Sequence, residues 1–260
     1  MHIIVCIKQV PNTTDVRIDP ATNTLMREGV ESVINPFDAY AIEEAVRLKE
    51  RLGGKVTAVT MGPPQAENAL REAISLGCDE AVLVTDRKFA GSDTWATSYT
   101  LSAAIWKIGT FDLIICGKQA SDGDTAQVGP GISAHLDIPQ VTYVKKIEEI
   151  SASSAKVHRM TEEGYDVVET PVPCVLTVVK EINTPRLPSL RGMMKAKAAK
   201  PLKWNAEDIE ADPKLLGLDG SPTRVVRIFT PPPRKGGEML KGDVQDTARE
   251  LAELLKGSVI

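Results

Sequence analysis

The stretch GKQASDGDTAQVGP, Gly117 to Pro130, gathers residue types that suit a phosphate. It lies between FDLIIC, an apolar run that reads as a buried strand, and GISAHLDIP, which reads as a short helix. A polar loop with glycines at a strand-to-helix edge meets the free N–H groups and the positive dipole end of the helix that follows. The segment is neither a Walker loop nor G-x-G-x-x-G. Taken alone, it fits a plain turn with aspartate caps equally well. Other reactive groups give no competing pattern. His2, His135 and His158 fall in a strand start, a helix and a hairpin, without metal-ligand spacing. Cys6, Cys78, Cys116 and Cys174 form no C-x-x-C motif. Cys6, Cys116 and Cys174 lie in or beside apolar runs and read as buried, reduced thiols. No protein nucleophile, acid–base triad or SGGxDS-type pyrophosphatase motif is present.

The chain has 260 residues, 42% hydrophobic and 25% charged, which is globular composition with length for a large core. A net charge of −4 argues against a nucleic-acid surface. No apolar run approaches the roughly 20 residues of a membrane helix. The start, MHIIVCIKQV, reads as a strand and not as a signal peptide, so a cytoplasmic location is expected.

The elements that must position the loop follow from periodicity. His2 to Val10 reads as one buried strand, and a small hairpin is expected within VRIDPATNTLMREGV. Phe37 to Leu52 has helical apolar spacing and ends at Gly53-Gly54. KVTAVTM, EAVLVTD and FDLIIC read as strands; Gln65 to Leu76 and Asp93 to Ile108 read as helices. This β-α alternation predicts an α/β fold: a parallel, doubly wound sheet with helices on both faces. Ligands then bind beyond the carboxyl ends of the strands, at a switch in strand order. After Pro139, VTYVKKIEEI and KVHRMTEEGYDVVET read as extended pieces around a hairpin tip, EEGY. PCVLTVVKEI is a further strand. From Asn183 the chain reads as irregular. The stretch after Trp204 reads as an extended arm ending in an amphipathic helix, 244–255.

Several motifs converge in order: CIKQVP, NPFDAYAIEEAVRLKE, TMGPPQAENALREAISLGCDEAVLVTD, GKQASDGDTAQVGP and LPSLRGMMKAK. Together, and over nearly the whole chain, they resemble the β subunit of electron-transferring flavoprotein. The resemblance implies an adenine-nucleotide α-hydrolase-like domain over 1–183, a partner-recognition loop over 184–204, and a C-terminal arm over 205–260 packed on an α subunit. It implies that the loop after FDLIIC wraps a nucleotide phosphate. Gly123 and Gly129 would allow close backbone approach. Thr125, Gln127 and the N–H groups of Ala126, Val128 and Gly129 would donate to phosphate oxygens. Asp122 and Asp124 would face ribose hydroxyls or cap the helix.

The family divides by cofactor. One branch holds structural AMP in the β subunit. The other holds FAD and, with its α subunit, bifurcates electrons from NADH to ferredoxin or flavodoxin and to a partner dehydrogenase. The DTxATS stretch with Asp93, Thr94 and Thr97, and the VGP at 128–130, resemble the FAD-binding branch. Alone, Asp93 also fits an N-cap and Thr97 a surface position. Cys6, Lys8, Asn35, Phe37, Asp38, Met61 and Gly62 fall at strand ends or helix starts around one crevice. Positions matching Cys6, Asn35 to Asp38 and Met61 border the nucleotide in the family; each alone also fits a core or capping role. The resemblance further implies that LPSLRGMMKAK docks on an acyl-CoA- or enoyl-CoA-dehydrogenase-type flavoenzyme. Leu190 would be its anchor, Met193 and Met194 adaptable neighbours, and Arg186, Arg191, Lys195 and Lys197 steering charges.

Overall fold

The computed structural model describes residues 1–12, 32–226, 236–237 and 239–258. In chain order the strands are β1 (His2–Cys6), β2 (Gln9–Pro11), β3 (Ser32–Ile34), β4 (Lys55–Met61), β5 (Glu80–Val84), β6 (Leu113–Gly117), β7 (Gln140–Ile150), β8 (Ser154–Met160), β9 (Tyr165–Pro171), β10 (Cys174–Val178) and β11 (Leu202–Trp204). The helices are α1 (Pro36–Leu52), α2 (Glu67–Leu76), α3 (Thr94–Ile108), α4 (Val128–Leu136), α5 (Leu190–Ala198) and α6 (Val244–Ser258). Nine strands form one sheet in the order β11-β5-β4-β1-β6-β10-β7-β8-β9. Its pairings are parallel from β11 through β7, and β8 and β9 extend it as antiparallel strands. The expected α/β architecture is therefore present.

The sequence explains both faces. In β1, Ile3 and Val5 point to one side, and Ile4 and Cys6 to the other, as the period of two requires. The first side packs against Ala41, Ile42 and Ala45 of α1 and Leu70 and Ala73 of α2. The second packs against Leu101 and Ile105 of α3 and Ile132 and Leu136 of α4. Strands covered on both faces carry near-continuous apolar runs, as these do. Ala206, Ile209 and Leu216, from the stretch read as arm, are buried in the second cluster.

Two elements differ from expectation. The apolar run from His2 to Val10 is not one strand. β1 stops at Cys6, and Gln9–Pro11 pairs antiparallel with Ser32–Ile34 in a separate two-stranded sheet. The reason is local polarity: the Lys8 N–H donates to the Asp38 carboxylate at 2.7 Å instead of continuing the ladder. The hairpin expected within 16–30 lies outside the described residues. Second, LRGMMKAKA forms helix α5 where irregular chain was expected. Ser189 caps its start by accepting from the Gly192 N–H at 3.0 Å. Arg71 of α2 donates to the Ala196 and Ala199 carbonyls at its end, at 3.1 and 2.8 Å. Gly192 lies so close to α2 that a Cβ there would sit 2.1 Å from the Ser75 carbonyl oxygen.

The chain divides into two compact units, Met1–Val226 and Arg227–Ile260. The second contains α6, whose first turn is capped by Asp243, accepting from the N–H groups of Gln245 and Asp246 at 2.8 and 2.9 Å. Among the described residues no helix is long and apolar enough to cross a membrane.

Candidate functional site

β1 is the switch point of the sheet. The chain leaves it through α1 toward β4 and β5 on one side, and returns through α3 to β6 on the other. A crevice must open at the carboxyl ends of β1 and β6, where the two crossovers part. A cavity of about 1090 Å³ lies there. It is bordered by Cys6, Lys8, Asn35, Asp38, Met61, Gly62, Asp93, Thr94, Thr97, Asp122, Gly123, Thr125, Ala126, Gln127, Val128 and Gly129. Two of the expected cofactor residues are not on its wall. The Phe37 ring faces Lys118, with Nζ 5.6 Å from its centroid. The Asp124 carboxylate accepts a hydrogen bond from the Gln119 side chain.

The loop between β6 and α4 is held by a buried knot. Asn35, 1% exposed, accepts from the Ser121 N–H at 3.0 Å and donates to the Gln119 carbonyl at 2.8 Å. The same amide donates to Asp38 at 3.0 Å. Lys8 Nζ spans the opening to both oxygens of Asp122, at 2.6 and 2.8 Å. Asp124 and Ala126 take left-handed backbone, φ 52° and 54°, and Gln127 returns to right-handed geometry. For alanine this conformation costs roughly 1–2 kcal/mol. A left-handed residue next to a right-handed one turns successive N–H groups inward, which makes an anion-binding concavity. The N-cap residue Gln127 makes no side-chain capping bond at the start of α4.

The two glycines of the loop differ. A Cβ on Gly123 would meet nothing within 4 Å, so the position faces open space. A Cβ on Gly129 would lie 2.4 Å from Thr177 Cγ2. Gly129 thus lets α4 lie against β10. The start of α3 has its own hydrogen bonds. Asp93 caps α3, with one oxygen accepting from the Trp95 and Ala96 N–H groups at 2.9 and 3.1 Å. Its other oxygen accepts from Thr223 N and Oγ1 at 3.0 and 2.8 Å. Thr94 Oγ1 donates to Gln127 Oε1 at 2.7 Å, joining the two helix starts.

Asp38 is 5% exposed, and burial pushes its carboxyl from 3.8 up to about 7, against the pull of hydrogen bonds from Asn35, Lys8 and Gly117 and the Lys8 charge. A raised acid binds its proton more tightly in the folded state. Its stability contribution is complete below the unfolded value of 3.8 and is lost as pH rises through about 7. The interval corresponds to about 4 kcal/mol, as an order of magnitude. Asp38→Asn should therefore remove a fall in stability between about pH 4 and pH 7. Denaturant midpoints of wild type and variant across that range measure it; parallel curves would assign the slope to other groups.

The thiols behave as read. Cys6, Cys78, Cys116 and Cys174 are free and buried. A hydrogen bond with Cys6, with burial, raises the Cys116 thiol, and burial pushes Cys78 up to about 12. No group of three or more metal-ligating side chains occurs among the described residues.

The segment expected to dock a partner is presented on α5. Leu190 is 79% and Met194 73% exposed, with Met193 beside them at helical spacing of three and four. Arg191 and Lys197 are exposed as well. Lys195 instead donates to the Cys78 carbonyl at 3.1 Å. Arg186, expected to steer a partner, is an internal clamp: its Nε donates to buried Glu43 at 2.8 Å and its Nη1 to Glu50 at 2.6 Å. Burial works to raise the Glu43 carboxyl, but hydrogen bonds from Arg186 and Arg47 outweigh it and hold the group below its usual range. Lys118, a wall residue inside the quoted loop, had no expected role. Its only sequence signal is its place directly after the strand.

Comparison with known proteins matches this architecture to one family. The electron transfer flavoprotein domain matches residues 22–209. The electron transfer flavoprotein subunit beta of Thermoanaerobacterium thermosaccharolyticum is 53% identical, over 98% of each chain. The caffeyl-CoA reductase-Etf complex subunit CarD of Acetobacterium woodii is 51% identical, again over 98% of each. Protein FixA of Azotobacter vinelandii is 47% identical over 97% of this chain and 92% of its own. With such identity sustained from end to end, the chain belongs to the electron transfer flavoprotein β-subunit family.

Proposed function

We propose that this chain is the FAD-binding β subunit of an electron-bifurcating flavoprotein. Family membership implies an α-subunit partner. In this reading the heterodimer takes electrons from NADH in the cytoplasm. It passes them to ferredoxin or flavodoxin and to an acyl-CoA- or enoyl-CoA-dehydrogenase-type flavoenzyme, or runs in reverse. The supporting observation is the cavity. At about 1090 Å³ it stands at the upper end of the range for small-molecule sites, more than a mononucleotide fills. Two helix starts border it, one at Val128 and one at Thr94; the second is already capped by the Asp93 carboxylate, so a second phosphate there would rely on the hydroxyls of Thr94 and Thr97. The similarity to a subunit of a caffeyl-CoA reductase-Etf complex favours the same reading.

FAD would supply the one- and two-electron chemistry. The chain's own part is to bind and orient. The 120–129 loop and the α4 start would hold phosphate, Asn35 would fix that loop, and Cys6, Met61 and Gly62 would border the bound group. Leu190, Met193 and Met194 would meet the dehydrogenase. The alternative is a carrier subunit holding structural AMP, which would use the 120–129 loop alone. Counting released nucleotides from the purified heterodimer separates the two. Two FAD per heterodimer are expected; one FAD with one AMP would replace this reading by the alternative.

A further inference from the structure

Lys118 lines the cavity, and its Nζ lies over two aromatic rings. Nζ is 5.6 Å from the Phe37 centroid and 5.2 Å from that of Tyr143. The Lys118 N–H donates to the Val178 carbonyl at 2.8 Å, which fixes the base of the side chain beside the end of β6. Among the described residues no carboxylate forms an ion pair with Lys118, whereas Lys8, the other lysine on the wall, is paired with Asp122. Arg87 also borders the cavity, but from an exposed turn and without such a cage.

Tyr143 has φ 58°, an uncommon backbone for an aromatic residue within a strand. Its N–H donates to Thr177 Oγ1 at 3.2 Å, and the register of β7 on β10 shifts between Leu176 and Val178. Surroundings that hold such a conformation over-determine it. Here the result is a ring placed against a lysine. Aromatic faces hold a cation without cancelling its charge.

We propose that Lys118, held in the Phe37–Tyr143 cage, is the cation that neutralises a nucleotide phosphate in this cavity. The proposal rests on the cavity being the nucleotide site. Backbone N–H groups offer partial charges, and an ammonium adds a full one. Phe37 and Tyr143 then act through Lys118 as positioning residues, which gives Phe37 a part although it is off the wall.

The test uses the full chain purified with its α subunit and stripped of nucleotide, titrated with FAD and with AMP at several salt concentrations. Lys118→Met should weaken binding of the accepted nucleotide by about 10- to 100-fold at low salt, the effect of one lost charged hydrogen bond. It should also flatten the salt dependence. Lys118→Arg should restore most of the affinity, and Tyr143→Leu should fall between. If Lys118→Met lowers Tm, Lys118→Gln reports the charge with polarity kept. Wild-type affinity and salt dependence in these variants, beside lost binding in Gly123→Asp, would make Lys118 a packing residue and overturn the proposal alone. Wild-type binding in Gly123→Asp too would overturn the cavity as the nucleotide site, and this proposal with it.

Discussion

Gly123→Asp is expected to empty the proposed nucleotide site while leaving the fold and the proposed α-subunit flavin intact. A side chain at Gly123 meets nothing within 4 Å, so the substitution introduces charge without a clash. The position borders the cavity with Thr125 and Ala126, where the left-handed backbone of Asp124 and Ala126 would turn N–H groups toward an anion. A carboxylate about 4 Å from a phosphate costs about 4 kcal/mol at an effective dielectric near 20, and less as water and salt screen it. Affinity should fall by about 10- to 1000-fold. Nucleotide content of the purified heterodimer, with far-UV circular dichroism as the fold control, decides the matter. Full occupancy would remove the loop from the site. Gly129→Asp would be a poorer test. Its Cβ would strike Thr177 at 2.4 Å, so lost nucleotide could follow from displacement of α4.

Leu190→Ala should slow electron transfer to the proposed partner dehydrogenase and leave nucleotide content and the proposed NADH-dependent flavin reduction unchanged. Leu190 is exposed at the first position of α5, with Met193 and Met194 on the same face. The rest of the segment is strapped down independently. Arg71 holds the end of the helix, Lys195 the Cys78 carbonyl, and Arg186 the preceding chain to Glu43 and Glu50. Removing the leucine therefore changes the presented face and not the scaffold beneath it. A leucine buried by a partner contributes about 1.5–3 kcal/mol, or roughly tenfold to a hundredfold in affinity. Coupled turnover against dehydrogenase concentration is the measurement. An unchanged curve below saturation would show that Leu190 is no anchor, and loss of NADH reduction would tie α5 to the cofactor site instead.

By itself the sequence determined what depends on near neighbours. Apolar runs of five to seven residues alternating with helical periodicity sufficed for a parallel sheet with helices on both faces, because each element buries its own stripe. The position of the 117–130 loop at a strand end was also legible, since strand, loop and helix are contiguous. Only the tertiary structure decided matters set by partners distant in the chain. Lys8 lies in an apolar run, yet Asp38, 30 positions on, takes its N–H and turns the chain off the sheet. Arg186 looks like a surface charge until Glu43, 143 positions away, claims it. Gly129 borders the cavity, and only packing shows that it must also clear Thr177 of β10. α5 lacks a strong pattern of its own and is held by caps from α2. The role proposed for Lys118 arises only because folding brings Phe37 and Tyr143 within reach of its ammonium. Periodicity records which face of an element is buried; which groups meet across that face is fixed by packing of the whole sheet.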